Sequence, residues 1–296
     1  MASSNSATVM LVGSNGMLAQ DVAILAPSDI RLALFDIPMI DITDPASVQA
    51  VVGRTKPSLV LNCAAYTAVD RAETEREQAY AVNADGPRHL ALACRAAGVP
   101  LVHISTDFVF DGDGSRLLDE SEAINPSGVY AASKRAGELA IEQSGCEWLT
   151  VRTSWLYAVH GKNFPNTMLR LAAEREELTV VNDQRGCPTF ARDLAAALWR
   201  LIAVGARGYV HFCNAGVCSW CEFAQAIVSE AAAIGLLKRA PRVVPISSQT
   251  FNSPAPRPAY SAMATARYAA LTNVQPRPWQ TALTEYLTIK AGTRAS

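Results

Sequence analysis

The sequence predicts an α/β fold, a doubly wound parallel sheet with a smaller C-terminal lobe, and three observations carry that prediction. Short apolar runs alternate with amphipathic helical patterns over the first two thirds of the 296 residues. A glycine turn, "VGSNGMLAQDV", falls where the first run gives way to the first helical pattern. Beyond about residue 212 the alternation stops, and a proline-rich stretch, "APRVVPISSQTFNSPAPRPAYSAM", follows a single helix.

The elements follow in order. "TVMLVG", "IRLALFD", "SLVLN" and "PLVHIS" are brief, apolar and bounded by turn residues, as strands buried on both faces must be. Between them, "NGMLAQDVAILA", "PASVQAVVGR" and "EREQAYAVNADGPRHLALACRAAG" repeat apolar residues at helical spacing. Strand–helix–strand alternation implies right-handed crossovers and helices on both faces of a parallel sheet. The helix around Tyr130 comes next, then "WLTVRTSWLY" as a strand, "NTMLRLAAERE" as a helix, "LTVVND" as a strand continuing the pattern and "ARDLAAALWRLIAV" as a helix. A Rossmann-type core is expected over residues 1–155 and 177–215, and the substrate-binding lobe over 156–176 and 216–296.

Half of the residues are hydrophobic, which suffices for a sizeable core. Lys and Arg number 26 against 27 Asp and Glu, a net charge of −1, and no basic run offers a footprint for nucleic acid. The polar N-terminus "MASSNSAT" and the short apolar run after it resemble neither a signal peptide nor a membrane span, so a soluble cytoplasmic protein is expected. Seven cysteines, an odd number, suit a reducing compartment. Cys218 and Cys221 have C-x-x-C spacing, but Ser219 followed by Glu222 reads as a capping box and no second cysteine pair completes a zinc set, so no metal is expected. The four histidines, His89, His103, His160 and His211, are scattered and suggest no site.

Gly13 and Gly16, with small Ala19 in the third position, let the backbone approach a pyrophosphate at a helix N-terminus, so residues Ser14, Asn15, Met17 and Leu18 join them as the expected phosphate cradle. Asp36 ends the second strand about twenty residues on, where a carboxylate bonds the ribose hydroxyls of NADH and repels the extra phosphate of NADPH. NADH is therefore the preferred cofactor expected, with NADPH the other. Asp41 is a second candidate for the adenine end.

In "GVYAASKRAGELA", Tyr130 and Lys134 stand four residues apart and share a helix face, so the ammonium is expected to lower the phenol pKa. Tyr286 and Lys290 in "YLTIK" have the same spacing, which alone does not tell a catalytic pair from a solvated helix face. The fourth strand decides between them, because Ser105, Thr106 and Asp107 in "HISTDFVFDG" fall at its carboxyl end, where open α/β sheets bind ligands.

Taken together, "GSNGMLA", "NCAAYTAVDRAE", "AYAVNADGP", "STDFVFDG", "YAASKRAGE", "VRTSWLY", "NFPNTMLRLA", "VVNDQRGCPT" and "PRP" resemble the extended short-chain dehydrogenase/reductases, and among them the dTDP-4-dehydrorhamnose reductase family, over nearly the whole chain. The resemblance implies reduction of the carbon-4 ketone of a dTDP-4-keto sugar with Thr106, Tyr130 and Lys134 as the catalytic set. It places Ile42 and the Cys63, Ala64, Ala65 and Tyr66 backbone beside the cofactor, with Asn83 supporting the lysine. It assigns Val69, Thr106, Asp107, Phe108, Asn163 and Arg257 to the nucleotide sugar, and Trp155 to both ligands. The family commonly has tyrosine where this chain has Phe108, so a phenol hydrogen bond to the sugar is lost. Sugar dehydratases of the same fold need a carboxylic acid there. A relative resembling the regulatory β subunit of methionine adenosyltransferase, which binds dinucleotide without turnover, is the alternative from another class. A homodimer is left open.

Overall fold

The computed structural model describes residues 7–112, 114 and 116–295. Six strands form one sheet in the order Gly208–His211, Trp148–Thr153, Leu101–Thr106, Leu59–Asn62, Ala7–Val12, Ile30–Phe35, all parallel. Their apolar character has the expected cause. Val9, Leu11, Leu61, Val102 and Val151 face one layer of helices, while Met10, Val12, Val60 and Leu101 face another. The chain runs outward from Ala7–Val12 to Ile30–Phe35, then returns to the other side of the first strand. That reversal leaves a crevice beyond the carboxyl ends of Ala7–Val12 and Leu59–Asn62, where such sheets bind ligands.

Helix starts follow their sequence signals. Asp44 caps Pro45–Thr55 by accepting from the Ala46 N–H at 2.9 Å, with Pro45 at the first helical position. Ser219 and Glu222 make the reciprocal capping box over Trp220–Ala233, so this C-x-x-C pair brackets a helix start. The long "EREQAYAVNADGPRHLALACRAAG" pattern is one rod interrupted by a π-helical turn at Ala81–Asp85.

Two expected strands behave differently. "WLTVRTSWLY" divides into Trp148–Thr153 and Leu156–Tyr157, because Trp155 takes a left-handed φ of 46° between them. "LTVVND" stays outside the six-stranded sheet: Glu177–Val181 pairs in parallel with Arg242–Ile246 from the proline-rich stretch. Leu178 and Val180 point into a second core with Tyr157, Phe190, Phe223, Tyr286 and Leu287. Among the described residues no helix is long and apolar enough to cross a membrane.

Candidate active site

The glycine turn is shaped by contact with the next strand. Gly13 has φ 75°, and a Cβ there would stand 2.5 Å from the Ala64 nitrogen, so any side chain would push the two loops apart. Gly13 and Ser14 donate their N–H groups to the Phe35 carbonyl at 2.9 and 3.1 Å, and Gly16 donates to Gly13. Gly16 then caps helix Met17–Ile24 with no side-chain partner and no acidic residue in the first turn, which leaves the first-turn amides facing the crevice. Leu18 itself is buried in the core, so only its backbone can serve a ligand.

Asp36 closes the turn. One carboxylate oxygen accepts the Asn15 N–H at 2.9 Å and the other its neighbour Ile37 N–H at 2.9 Å. The crevice of about 500 Å³ between them is lined by Gly13, Gly16, Asp36, Asp41, Ile42 and the Cys63–Tyr66 backbone. Asp41 also ties Thr43 by its N–H at 2.9 Å and its hydroxyl at 2.7 Å, and the Ile42 side chain is buried where a Gly86 side chain would otherwise sit.

The catalytic candidates stand on the strand paired with Leu59–Asn62 and on the helix Val129–Gln143. Thr106 ends strand Leu101–Thr106 and is 7 % exposed; its hydroxyl donates to Asp107 Oδ1 at 3.1 Å and accepts the Phe108 N–H at 3.2 Å. Tyr130 lies in the first turn of helix Val129–Gln143, whose start is anchored by the Val129 N–H on Glu73 Oε1 at 2.8 Å. The phenol lies beside Thr106, whose hydroxyl slightly opposes the rise of its pKa, and the ring meets Phe108 edge-on with centroids 5.7 Å apart. Burial, and to a smaller degree the Asp107 charge, push Tyr130 up to about 12.

This differs from the expectation that Lys134 lowers it. The Lys134 side chain is buried, 2 % exposed, and its Nζ donates to the Ile104 carbonyl at 2.8 Å and lies 3.3 Å from His103 Nε2. Desolvation pulls Lys134 down to about 8. The shared helix face brings the two side chains to one wall, but the lysine turns to the strand behind it, and desolvation of the phenolate dominates. Asp107, also buried, is raised to about 7 by desolvation, against smaller opposing effects of the nearby Ser261 and Thr106 hydroxyls, of which Thr106 donates to it.

Asn83 takes a different part from the one expected. It sits in the π-helical turn, where its Oδ1 accepts the Tyr66 N–H at 2.9 Å and its Nδ2 donates to the Tyr66 carbonyl at 3.0 Å and to Ser133 Oγ at 3.1 Å. It therefore stitches the Cys63–Tyr66 loop to the Tyr130 helix, while Lys134 is held by Ile104 and His103 instead. The sequence reading passed over His103. Its one signal was a polar ring in the middle of a strand otherwise buried and apolar. Glu138 was also missed: fully buried on the Tyr130 helix, it accepts from Arg152 Nε at 2.9 Å and Nη2 at 2.8 Å.

The residues assigned to the sugar are spread along the C-terminal side. Trp155 stacks on Trp220 with centroids 3.5 Å apart and planes 6° from parallel, and Gly186 is small because a Cβ there would enter the Trp155 ring. The amide of Asn163 is engaged within its own loop: Oδ1 caps helix Phe164–Glu174 through the Asn166 N–H at 3.0 Å, and Nδ2 donates to the Ala158 carbonyl at 2.8 Å. It also touches Met17 Sδ at 3.6 Å. Arg257 pairs with Asp70 at 3.0 Å and with Ser253, tying the proline-rich segment to the short helix Val69–Ala72. Tyr286 is a core residue, fully buried, whose hydroxyl donates to Asn166 Oδ1 at 2.8 Å.

The chain is similar to known proteins over nearly its whole length. The sequence model described as the RmlD substrate binding domain matches residues 7–291. A Mycobacterium tuberculosis protein named dTDP-4-dehydrorhamnose reductase is 42% identical over 291 residues, 96% of this chain and 93% of its own length. The Bacillus subtilis spore coat polysaccharide biosynthesis protein SpsK is 37% identical over 94% of this chain and 96% of its own. A solved structure of a Bacillus anthracis dTDP-4-dehydrorhamnose reductase in complex with NADP superposes with a TM-score of 0.90 at 39% identity, covering 96% of this chain and 99% of that one.

Proposed function

Because the chain belongs to the RmlD substrate binding domain family, we infer that it reduces the carbon-4 ketone of dTDP-4-dehydro-6-deoxy-L-mannose to dTDP-L-rhamnose with a nicotinamide dinucleotide. The observation that supports this reading is that Lys134 lies close enough to Cys63, which lines the crevice with the Gly13 turn, to interact with it, while Tyr130 on the same helix lies beside Thr106 at the carboxyl end of the neighbouring strand.

The residues present suit a dinucleotide. The close approach of Gly13 to Ala64 leaves no room for side chains along the crevice floor, and the uncapped N-terminus of helix Met17–Ile24 offers N–H groups and positive partial charge to a pyrophosphate. When bound there, the nicotinamide supplies the hydride. Tyr130 supplies the proton. With a pKa near 12 the phenol keeps its proton at neutral pH and gives it up to a stronger base, the oxygen becoming an alkoxide as the carbonyl is reduced. Thr106 orients the phenol, and Phe108 packs its ring. Lys134 holds the nicotinamide ribose, and the nucleotide sugar lies between Val69 and Trp155 of the core and Asn163 and Arg257 of the lobe proposed for residues 156–176 and 216–296.

Asp36 supports a preference for NADH, since its carboxylate stands at the rim where a 2′-phosphate would meet like charge. The ratio of kcat/KM for NADH and NADPH measures it, and Asp36→Ala is expected to narrow that ratio; a native preference for NADPH overturns this assignment. The function itself is tested by mixing the pure protein with NADH and a panel of dTDP-4-keto sugars and following nicotinamide absorbance. Loss of absorbance with dTDP-4-dehydrorhamnose is expected. No turnover, together with capture of a synthetase partner, would favour the regulatory alternative.

A further inference from the structure

His103 is completely buried, 0 % exposed, in the middle of strand Leu101–Thr106, and it has polar neighbours on both sides. Asn62 Nδ2 lies 3.1 Å from its Nδ1, and Lys134 Nζ lies 3.3 Å from its Nε2. Desolvation by burial holds the imidazole well below its ordinary pKa, so the ring is neutral and has one N–H and one lone pair to distribute.

The hydrogen-bond accounting assigns them. Asn62 Oδ1 accepts the Ala64 backbone N–H at 3.0 Å, and a flipped amide would set two donors against each other there. The Asn62 amide therefore offers its Nδ2–H to His103, and Nδ1 must be the acceptor. The ring proton then sits on Nε2 and points at Lys134. An ammonium has three donors and no lone pair, so a charged Lys134 meets a donor. A neutral amine accepts that N–H while donating its own to the Ile104 carbonyl. Charging the lysine in the free protein breaks one bond of a buried chain that runs from Ala64 through Asn62 and His103, an uncompensated loss.

We propose that His103 is a positioning residue for Lys134: held by Asn62 as the Nε2–H tautomer, it favours the neutral amine of Lys134 in the free protein, so that under mildly alkaline conditions cofactor binding draws one proton from solvent onto that amine. This rests on the reading of the crevice as the dinucleotide site. The balance is Lys134–NH₂ plus H⁺ from buffer giving Lys134–NH₃⁺, with no electron transfer. The other groups around Lys134 do not reverse it. Cys63, raised to about 12, stays a thiol, and Glu138, whose charge favours the ammonium, is already paired with Arg152. The fall of Lys134 to about 8 agrees with the geometry.

Two measurements on the full chain decide it. Calorimetric titration with NADH in two buffers of different ionisation enthalpy, at pH ~9 between the displaced and ordinary lysine values, is expected to show uptake approaching one proton per NADH, fading below pH ~7. Binding heat that does not depend on the buffer overturns the proposal and leaves the cofactor site standing. Absence of any NADH binding overturns both. His103→Gln is expected to cut the uptake at least twofold while NADH still binds; unchanged uptake would mean that burial alone neutralises the lysine. Nitrogen NMR of the free wild-type protein is expected to show one buried imidazole protonated on Nε2, and an Nδ1–H ring at His103 overturns the proposal without any variant.

Discussion

Tyr130 and Tyr286 show how one spacing gives two unrelated side chains. Tyr130 lies beside Thr106 with its ring edge-on to Phe108, whereas Tyr286 is locked in the second core against Tyr157 and Phe190. Tyr130→Phe removes the proton donor and keeps the ring, so steady-state assays should show kcat lower by about 10²- to 10⁴-fold with an unchanged melting temperature. Tyr286→Phe should leave kcat alone but lower stability by about 1–3 kcal/mol in denaturant titrations, because the Asn166 amide oxygen loses its partner inside the protein. Asp107 carries a pH signature of its own. Its carboxyl is raised to about 7 in the fold and lies near ~3.9 in an unfolded chain, so between those values the unfolded state binds fewer protons and this group makes stability fall as pH rises. Asp107→Asn abolishes that contribution. The stability difference, variant minus wild type, should grow from pH ~4 to ~7 and level off above, as measured by urea midpoints across that range.

The helix Val129–Gln143 is the element on which the site depends. Its N-terminus presents Tyr130, its second turn presents Lys134, and further along Glu138 fastens it to the sheet through Arg152 of strand Trp148–Thr153. Gly137 lies so close to the π-helical turn that a Cβ would come within 2.1 Å of the Asn83 carbonyl oxygen, so the two helices pack backbone to backbone. Both charges of the Glu138–Arg152 pair are buried, and removing one leaves the other without compensation. Glu138→Gln is therefore expected to destabilise the protein by about 3–5 kcal/mol in denaturant titrations, and to reduce kcat by loosening the helix. The pair also sets a sign. Burial works against the Glu138 charge, but the bonds from Arg152 and Arg135 outweigh it, and the carboxyl lies below its ordinary value. Its stabilisation is present above the unfolded carboxyl value and is lost as pH falls through the folded one, opposite to Asp107.

At the scale of the whole molecule, residues 253–257 reach back to the Rossmann-type core. Asp70 accepts the Ala255 N–H at 3.3 Å and binds Arg257, and the Pro256 ring packs where a side chain on Gly128, just before the Tyr130 helix, would sit. A guanidinium on a proline-stiffened segment can grip a pyrophosphate bidentately. Arg257→Ala is accordingly expected to raise the KM for the nucleotide sugar much more than the KM for NADH. Equal effects on both constants, or a lowered melting temperature with normal kinetics, would mean that the Asp70 bridge is its whole purpose.

Local chemistry made the first half of this fold legible. Strands buried on both faces must be apolar runs, a glycine turn must be glycine where Gly13 meets Ala64, and helix caps such as Asp44 and Ser219 act within three residues of themselves. The glycine turn, Asp36 and the carboxyl end of the fourth strand could therefore be placed from the sequence alone, and the family motifs added the order of the remaining pieces. Other features depend on partners far away in the chain. Glu177–Val181 reads like one more core strand until Arg242–Ile246, more than 60 residues on, pairs with it outside the sheet. Tyr286 reads like an exposed residue until Tyr157 and Phe190 surround it. His103 reads as a scattered histidine until folding sets Asn62 and Lys134, 41 and 31 residues away, against its two nitrogens. Periodicity and capping are short-range and appear in the sequence, whereas burial, proton placement and charge pairing arise only when distant segments exclude water together.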